Sequence, residues 1–198
     1  DIKTSYQMIK ALKRACSDIE FNKEKMIIVS PDEGGMSRCI YFSSVLGLDL
    51  GMFYKRRNYS VIVNGRNPIE AHEFLGKDID GKDLIIVDDM ISSGESILDI
   101  AAKLKDKGAK RIFVFTTFGL FVDGLQKFDE FYEKGLIDKI FTTNLIYQTE
   151  DLLAKPWYQS VNMCKYVAYI IDIFVVFVLF EESFQSFVFW LCPTSVSR

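Results

Sequence analysis

The sequence predicts one α/β domain, a central and mostly parallel sheet flanked by helices, and three observations lead to it. Short apolar runs alternate with longer segments of helical period, the pattern of βαβ units. The stretch Leu84–Leu98 (LIIVDDMISSGESIL) hands a buried strand to a helix through a short Ser/Gly loop. The chain's 198 residues, 49% hydrophobic and 26% charged, suffice for a single domain with a sizeable core.

Each element follows from local pattern. Ile9, Leu12 and Cys16 share a helical face that Thr4 or Ser5 can cap. Met26–Ser30 is a short buried strand, and Pro31–Arg38 is a loop rich in Gly and acid. A helix over Arg38–Leu48 stops near Gly47. Leu50–Tyr54 is a strand running into the basic Lys55-Arg56-Arg57, Asn58–Asn67 is an excursion or hairpin, and Ile69–Leu75 returns as a strand or edge segment. Leu84–Val87 is a buried strand, and Ile97, Ile100, Ala101 and Leu104 recur at i, i+3, i+4 and i+7 in a helix that Gly108 ends. Ile112–Phe115 is the next strand, Phe121, Leu125, Phe128 and Tyr132 mark a helix up to Gly135, and Ile140–Thr142 is a short strand. No internal repeat or low-complexity linker divides the chain.

A formal charge of −3 argues against a nucleic-acid surface, which would be basic. The four cysteines, Cys16, Cys39, Cys164 and Cys192, have no C-x-x-C spacing and read as reduced thiols of a cytoplasmic protein. The charged start, Asp1–Lys13, carries no apolar signal core and no initiator Met, so a processed or partial product is expected. Tyr166–Phe180 is nearly all apolar, but Asp172 interrupts it and Glu181-Glu182 close it. A bilayer span needs about 20 apolar residues, so a terminal helix on the sheet or at a subunit contact is the expectation. Residues 173–198 form a divergent aromatic tail, which favours association if exposed.

The loop Ile91–Ser96 lies where ligands bind in an open α/β sheet, between a strand's C-terminal end and a helix N-terminus. Unpaired N–H groups and the positive dipole end suit a phosphate there. Asp88 and Asp89, just before it, can hold a sugar's hydroxyls or a metal. A bland reading stands beside this one, because Ser92 and Glu95 have the S-x-x-E spacing of an ordinary capping box.

Val87–Ser96 resembles the phosphoribosyl pyrophosphate motif of type I phosphoribosyltransferase-fold proteins. Three further stretches narrow the resemblance to ribose-phosphate pyrophosphokinase (phosphoribosyl pyrophosphate synthetase), over about residues 1–172 and matching the second half of that enzyme. Ile27–Arg38 (IIVSPDEGGMSR) resembles the synthetase pyrophosphate loop S-P-D-x-G-G. Gly34 and Gly35 there allow close backbone approach to an anion, Asp32 can ligate Mg²⁺, and Arg38 can pair with phosphate. Phe53–Arg57 (FYKRR) resembles a strand ending in Lys-x-Arg, which implies that Lys55 and Arg57 stabilise charge on the transferring group. The stretch NGRNPIEAHEFLGKDIDGKDL is similar to a bacterial subgroup; its His72 is left structural.

The resemblance implies that Asp88 and Asp89 hold ribose hydroxyls while Ser92, Ser93, Gly94, Glu95 and Ser96 cradle the 5-phosphate. Ser92 and Glu95 depart from the commoner pattern of Asp and Gly, and Glu95 is expected to avoid repelling phosphate by folding back as the acidic member of the capping box. The implied reaction takes ATP and ribose 5-phosphate to phosphoribosyl pyrophosphate and AMP with Mg²⁺. The family's first half, which supplies most nucleotide contacts, has no counterpart in the sequence, so binding of ribose 5-phosphate with little kinase activity alone is expected. The alternatives are a phosphoribosyltransferase of the same fold and a non-catalytic regulatory subunit of the synthetase. Partners are expected to be a second copy or a full-length synthetase, with no nucleic acid and no membrane.

Overall fold

In the computed structural model, which describes residues 4–57 and 69–176 (side chains of 55–57 and 69–72 excepted), the apolar runs become a seven-stranded sheet. Its strands are β1 (Met26–Ser30), β2 (Asp49–Arg57), β3 (Ile69–Leu75), β4 (Asp83–Ile91), β5 (Arg111–Gly119), β6 (Lys139–Thr143) and β7 (Tyr158–Val161). They lie in the order β3-β2-β1-β4-β5-β6-β7. Only β3 is antiparallel to its neighbour, β2; the other pairings are parallel. The helices are α1 (Ser5–Ala15), α2 (Met36–Leu46), α3 (Glu95–Asp106), α4 (Gln126–Glu133) and the short α5 (Glu150–Ala154).

Crossover helices cover parallel strands on both faces, so such strands read as continuous apolar runs. All five residues of β1 and the first five of β4 are accordingly buried. The core joins Val29, Ile86 and Val114 of the sheet to Ile97, Ile100, Ala101 and Leu104 of α3. Gly47 ends α2 at φ +64, a left-handed C-cap that any side chain would strain.

Charge is buried at the sheet's N-terminal edge. Arg111 donates from Nε to Asp83 Oδ1 at 2.9 Å and from Nη2 to Asp83 Oδ2 at 2.6 Å, and it also reaches Asp18 at 2.7 Å. The Asp83 side chain is 9% exposed, so Arg111→Met strands a nearly buried carboxylate. The expected cost is about 2 kcal/mol in urea unfolding.

Several boundaries differ from the sequence reading. Met8 and Leu12 form the buried face of α1, while Cys16 is its C-cap; the helix rolls so that Met8 points inward. α4 begins at Gln126 because Phe121 sits in a turn at φ +48, although it still joins the aromatic cluster. Phe128 stacks on Trp157 at 5.3 Å and meets Phe121 edge-on at 5.0 Å. The sequence reading lacks α5 and β7, which are short and partly polar. The excursion expected over Asn58–Asn67 lies outside the described residues.

The chain forms two units, Asp1–Val161, which holds the sheet, and Asn162–Arg198. The second unit is helical over 164–176. Much of the expected tail lies outside the described residues. Among the described residues no helix is long and apolar enough to cross a membrane.

Candidate functional site

Strand order creates the site. From β1 the chain crosses through α2 to β2 on one side, and from β4 it crosses through α3 to β5 on the other. β1 and β4 are neighbours, so the connections part between them, and such a switch point leaves a crevice at the strands' C-terminal ends. The loops after β1 and β4, Pro31–Gly35 and Ser92–Gly94, both open there.

The first loop folds on its own side chains. Ser30 Oγ donates to the Asp32 carbonyl at 2.7 Å, and Gly35 N–H donates to Asp32 Oδ1 at 3.0 Å. Gly35 is buried, and a Cβ there would come within 2.9 Å of Ser30 Oγ and 3.7 Å of the Val87 carbonyl. That close approach sets the loop against the end of β4. Cys39 of α2 reinforces it, its thiol donating to the Val87 carbonyl at 3.4 Å. Burial pushes this thiol up to about 11, so iodoacetamide at pH 7.5 is expected to spare Cys39 in the folded protein and modify it only after unfolding, read by peptide mass spectrometry.

At the end of β4, Asp88 is half-buried and Asp89 exposed. Asp88 Oδ1 accepts from the Asp89 N–H at 2.8 Å, and Asp89 Oδ1 accepts from the Met90 N–H at 2.8 Å. Arg38 faces both, with Nη1 3.7 Å from Asp88 Oδ1 and Nη2 3.7 Å from Asp89 Oδ2. Burial, and then the neighbouring Asp89 carboxyl, push Asp88 up to about 6 against the pull of the Asp89 N–H and the Arg38 cation.

The second loop turns through Gly94 at φ +87 directly into α3. The Val122 N–H donates to the Ser92 carbonyl at 3.0 Å, tying the loop to the segment after β5. No side chain caps α3 by hydrogen bonding at Gly94, and the Glu95 N–H lies 3.5 Å from Ser93 Oγ, a weak contact. An anion at the first-turn N–H groups would therefore have no N-cap side chain to displace.

The capping box does not form. Gly94 is the N-cap, so Glu95 is the first helical residue and its side chain cannot reach back in that role. Its carboxylate instead accepts from Lys127 Nζ of α4 at 2.8 Å, and this partner holds Glu95 below the ordinary carboxylate range. The acid that should repel a phosphate is thus countered by a cation thirty-two residues away.

The backbone of Lys55 and Arg57 lies at the C-terminal end of β2, the strand beside β1, paired with His72 and Ile69 of β3. Their side chains lie outside the described residues. Asp32, Gly34, Gly35, Arg38, Asp88, Asp89 and Ser92–Ser96 lie on one edge at the switch point. Among the described residues no three His, Cys, Asp or Glu side chains cluster as a metal cage. Asp32 is exposed and commits one oxygen to Gly35, a donor set that fits Mg²⁺ only when substrate phosphates and water complete the shell.

Sequence reasoning missed three contributors. Lys127 balances Glu95, Phe128 backs Gly94, and Thr116 pairs in register with Asp88. None carries a local signal, because each acts across a strand or from another helix. Ser30 could have been found, since it opens the S-P-D stretch.

Comparison with known proteins bears on this edge. Residues 58–176 match the family model of the phosphoribosyl synthetase-associated domain. The chain is 37% identical over 151 residues to the ribose-phosphate pyrophosphokinase of Mycoplasma genitalium, covering 72% of this chain and 43% of that protein. It is 35% identical over 129 residues to the ribose-phosphate pyrophosphokinase of Mycoplasma pneumoniae, covering 65% and 37%. Its fold is similar to the crystal structure of phosphoribosylpyrophosphate synthetase from Mycobacterium smegmatis, with a TM-score of 0.70 at 22% identity over 91% of this chain and 52% of that one. The chain spans about two-fifths of the length of these curated relatives.

Proposed function

The chain belongs to the phosphoribosyl pyrophosphate synthetase (ribose-phosphate pyrophosphokinase) family, and from that premise we propose that it serves the transfer of pyrophosphate from ATP to ribose 5-phosphate, giving phosphoribosyl pyrophosphate and AMP. What supports the reading is the meeting of two loops and an acid pair at one switch point, with uncapped helix N–H groups beside them.

In this reading Asp88 and Asp89 accept hydrogen bonds from the ribose hydroxyls. The backbone of Ser92, Ser93, Gly94, Glu95 and Ser96 cradles the 5-phosphate at the start of α3. The sugar is thereby fixed so that its 1-hydroxyl can attack the β-phosphorus of ATP, forming the new P–O bond as the bond to AMP breaks. Gly34 and Gly35 let their backbone approach the triphosphate, and Lys55 and Arg57 offset charge on the transferring group. Phosphoryl transfer demands mainly such positioning and electrostatic stabilisation. With Mg²⁺ bound at Asp32, the triphosphate charge would be partly neutralised.

The proposed setting is the cytoplasm, where thiols such as Cys16 and Cys39 stay reduced. The proposed working form is an oligomer, of this chain or with a full-length synthetase. Calorimetric titration tests the sugar side. One-to-one binding of ribose 5-phosphate supports the reading, and no detectable binding at millimolar ligand overturns it. An AMP-release assay with ATP, Mg²⁺ and ribose 5-phosphate then measures how much of the transfer this chain performs alone.

A further inference from the structure

Arg38 occupies an unusual position for a phosphate ligand. It lies in the first turn of α2 with its guanidinium spread across two carboxylates, 3.7 Å from each. Those distances hold ion pairs but are too long for hydrogen bonds. Its Nη1 is buried and makes no hydrogen bond among the described residues. Beside it is a cavity of about 10 Å³, lined by Thr4, Met8, Arg38, Phe42, Asp88 and Thr116 among others. Thr116 is 1% exposed and faces Asp88 across the β4–β5 pairing. Its Oγ1 is, with Arg38 Nη1, a buried side-chain polar atom that has no partner among the described residues.

Two such orphans around one cavity need a common explanation, because each costs about 1–3 kcal/mol if left unpaired. The volume matches a single water, and the lining offers it a cationic donor, a hydroxyl and a carboxylate, enough for an ordered site.

We propose that Arg38 is a positioning residue for the acid pair: braced by one ordered water shared with Thr116 Oγ1, it holds Asp88 and Asp89 aimed at the sugar hydroxyls and does not itself grip phosphate. The inference rests on the reading of Asp88 and Asp89 as the sugar clamp. Two adjacent carboxylates, one half-buried, repel each other, and a cation spread across both offsets that repulsion beyond what their own backbone N–H partners do. A planar fork reaches both at once, which a point charge on a flexible stem does less well.

The full chain and its Arg38→Met, Arg38→Lys and Thr116→Val variants, titrated separately with ribose 5-phosphate and with inorganic phosphate by NMR, test this. Arg38→Met should weaken ribose 5-phosphate about tenfold, the size of a lost charge-assisted contact, and leave inorganic phosphate within about twofold. Arg38→Lys should recover part of the loss. Thr116→Val, nearly isosteric, should weaken ribose 5-phosphate about threefold and leave inorganic phosphate unchanged. A general loosening of the fold would instead lower both ligands together and shift the thermal midpoint. Equal loss of both ligands in Arg38→Met, an unchanged ribose 5-phosphate affinity in that variant, or an unchanged Thr116→Val would each overturn the proposal. A wild-type chain that binds inorganic phosphate but not ribose 5-phosphate strikes the clamp reading itself, before any variant is compared.

Discussion

Asp88→Asn is expected to remove ribose 5-phosphate binding, a loss of at least about 100-fold, and at the same time to make the ligand-free protein more stable above pH 6. The binding loss follows because an ionised carboxylate accepts two hydroxyl hydrogen bonds strongly, whereas an amide presents one acceptor and two misplaced donors. The gain in stability follows from what the fold imposes on the acid. Asp88 titrates at about 6 in the folded protein against an ordinary 3.8, chiefly because it is half-buried. Between those values the folded protein retains a proton that the unfolded chain has released. Stability therefore falls as pH rises through the window and stays at the lower level above it.

Discounted for the side chain's partial exposure of 23%, the penalty is about 1–2 kcal/mol at neutral pH. Asn escapes it while still accepting from the Asp89 N–H. Urea unfolding at pH 7.5 should show the variant more stable, and at pH 3.5 the two proteins should coincide. A variant destabilised at both values, or one that keeps its affinity for ribose 5-phosphate, would contradict this account. An acid that costs the fold stability and stays in place is the expected mark of a binding site.

Gly94→Ala should be among the most damaging glycine-to-alanine changes at the described residues. The position has φ +87, where a Cβ costs about 1–2 kcal/mol on backbone grounds alone. The added methyl would also overlap the Phe128 ring. That ring has nowhere to go, because it is 0% exposed, stacked on Trp157 and met edge-on by Phe121. Either α4 is displaced or the first turn of α3 opens, and its first bond, from the Leu98 N–H to the Gly94 carbonyl at 2.9 Å, goes with it. About 3 kcal/mol of stability is expected to be lost, together with about tenfold in affinity for inorganic phosphate, since the N–H groups no longer converge. Phe128→Leu made in the Gly94→Ala background should recover part of the stability, a coupling that a double-mutant cycle reads directly. If Gly94→Ala proves neutral, the loop is not held as described.

What the sequence disclosed and what it concealed divide along a physical line. β1 is legible to the residue, because Met26–Ser30 is buried on both faces and bounded by Lys25 and Pro31. The crossover into α3 is legible because Ile97, Ile100, Ala101 and Leu104 keep a helical period and Gly108 ends it at φ +88. The edge where the two loops meet is legible from motif positions alone. The helix at Phe121 is misread because aromatic packing gives Phe121 the same spacing that a helix would, while its backbone is in a turn. The expected capping box of Ser92 and Glu95 fails because Gly94, not Ser92, is the N-cap, which leaves the Glu95 carboxylate to pair with Lys127 of α4. Thr116 is concealed because only the pairing of β4 with β5 sets this residue opposite Asp88.

The central claim is that Asp88, Asp89 and the amides at the start of α3 form one site for a sugar phosphate. An ¹⁵N-resolved NMR titration with ribose 5-phosphate tests it most directly. The amides of Asp88, Asp89 and Ser92–Ser96 are expected to shift together along one saturation curve, with those of α5 and β7 unmoved. Shifts confined to another face, or separate curves for the acid pair and the Ser92–Ser96 loop, would contradict it.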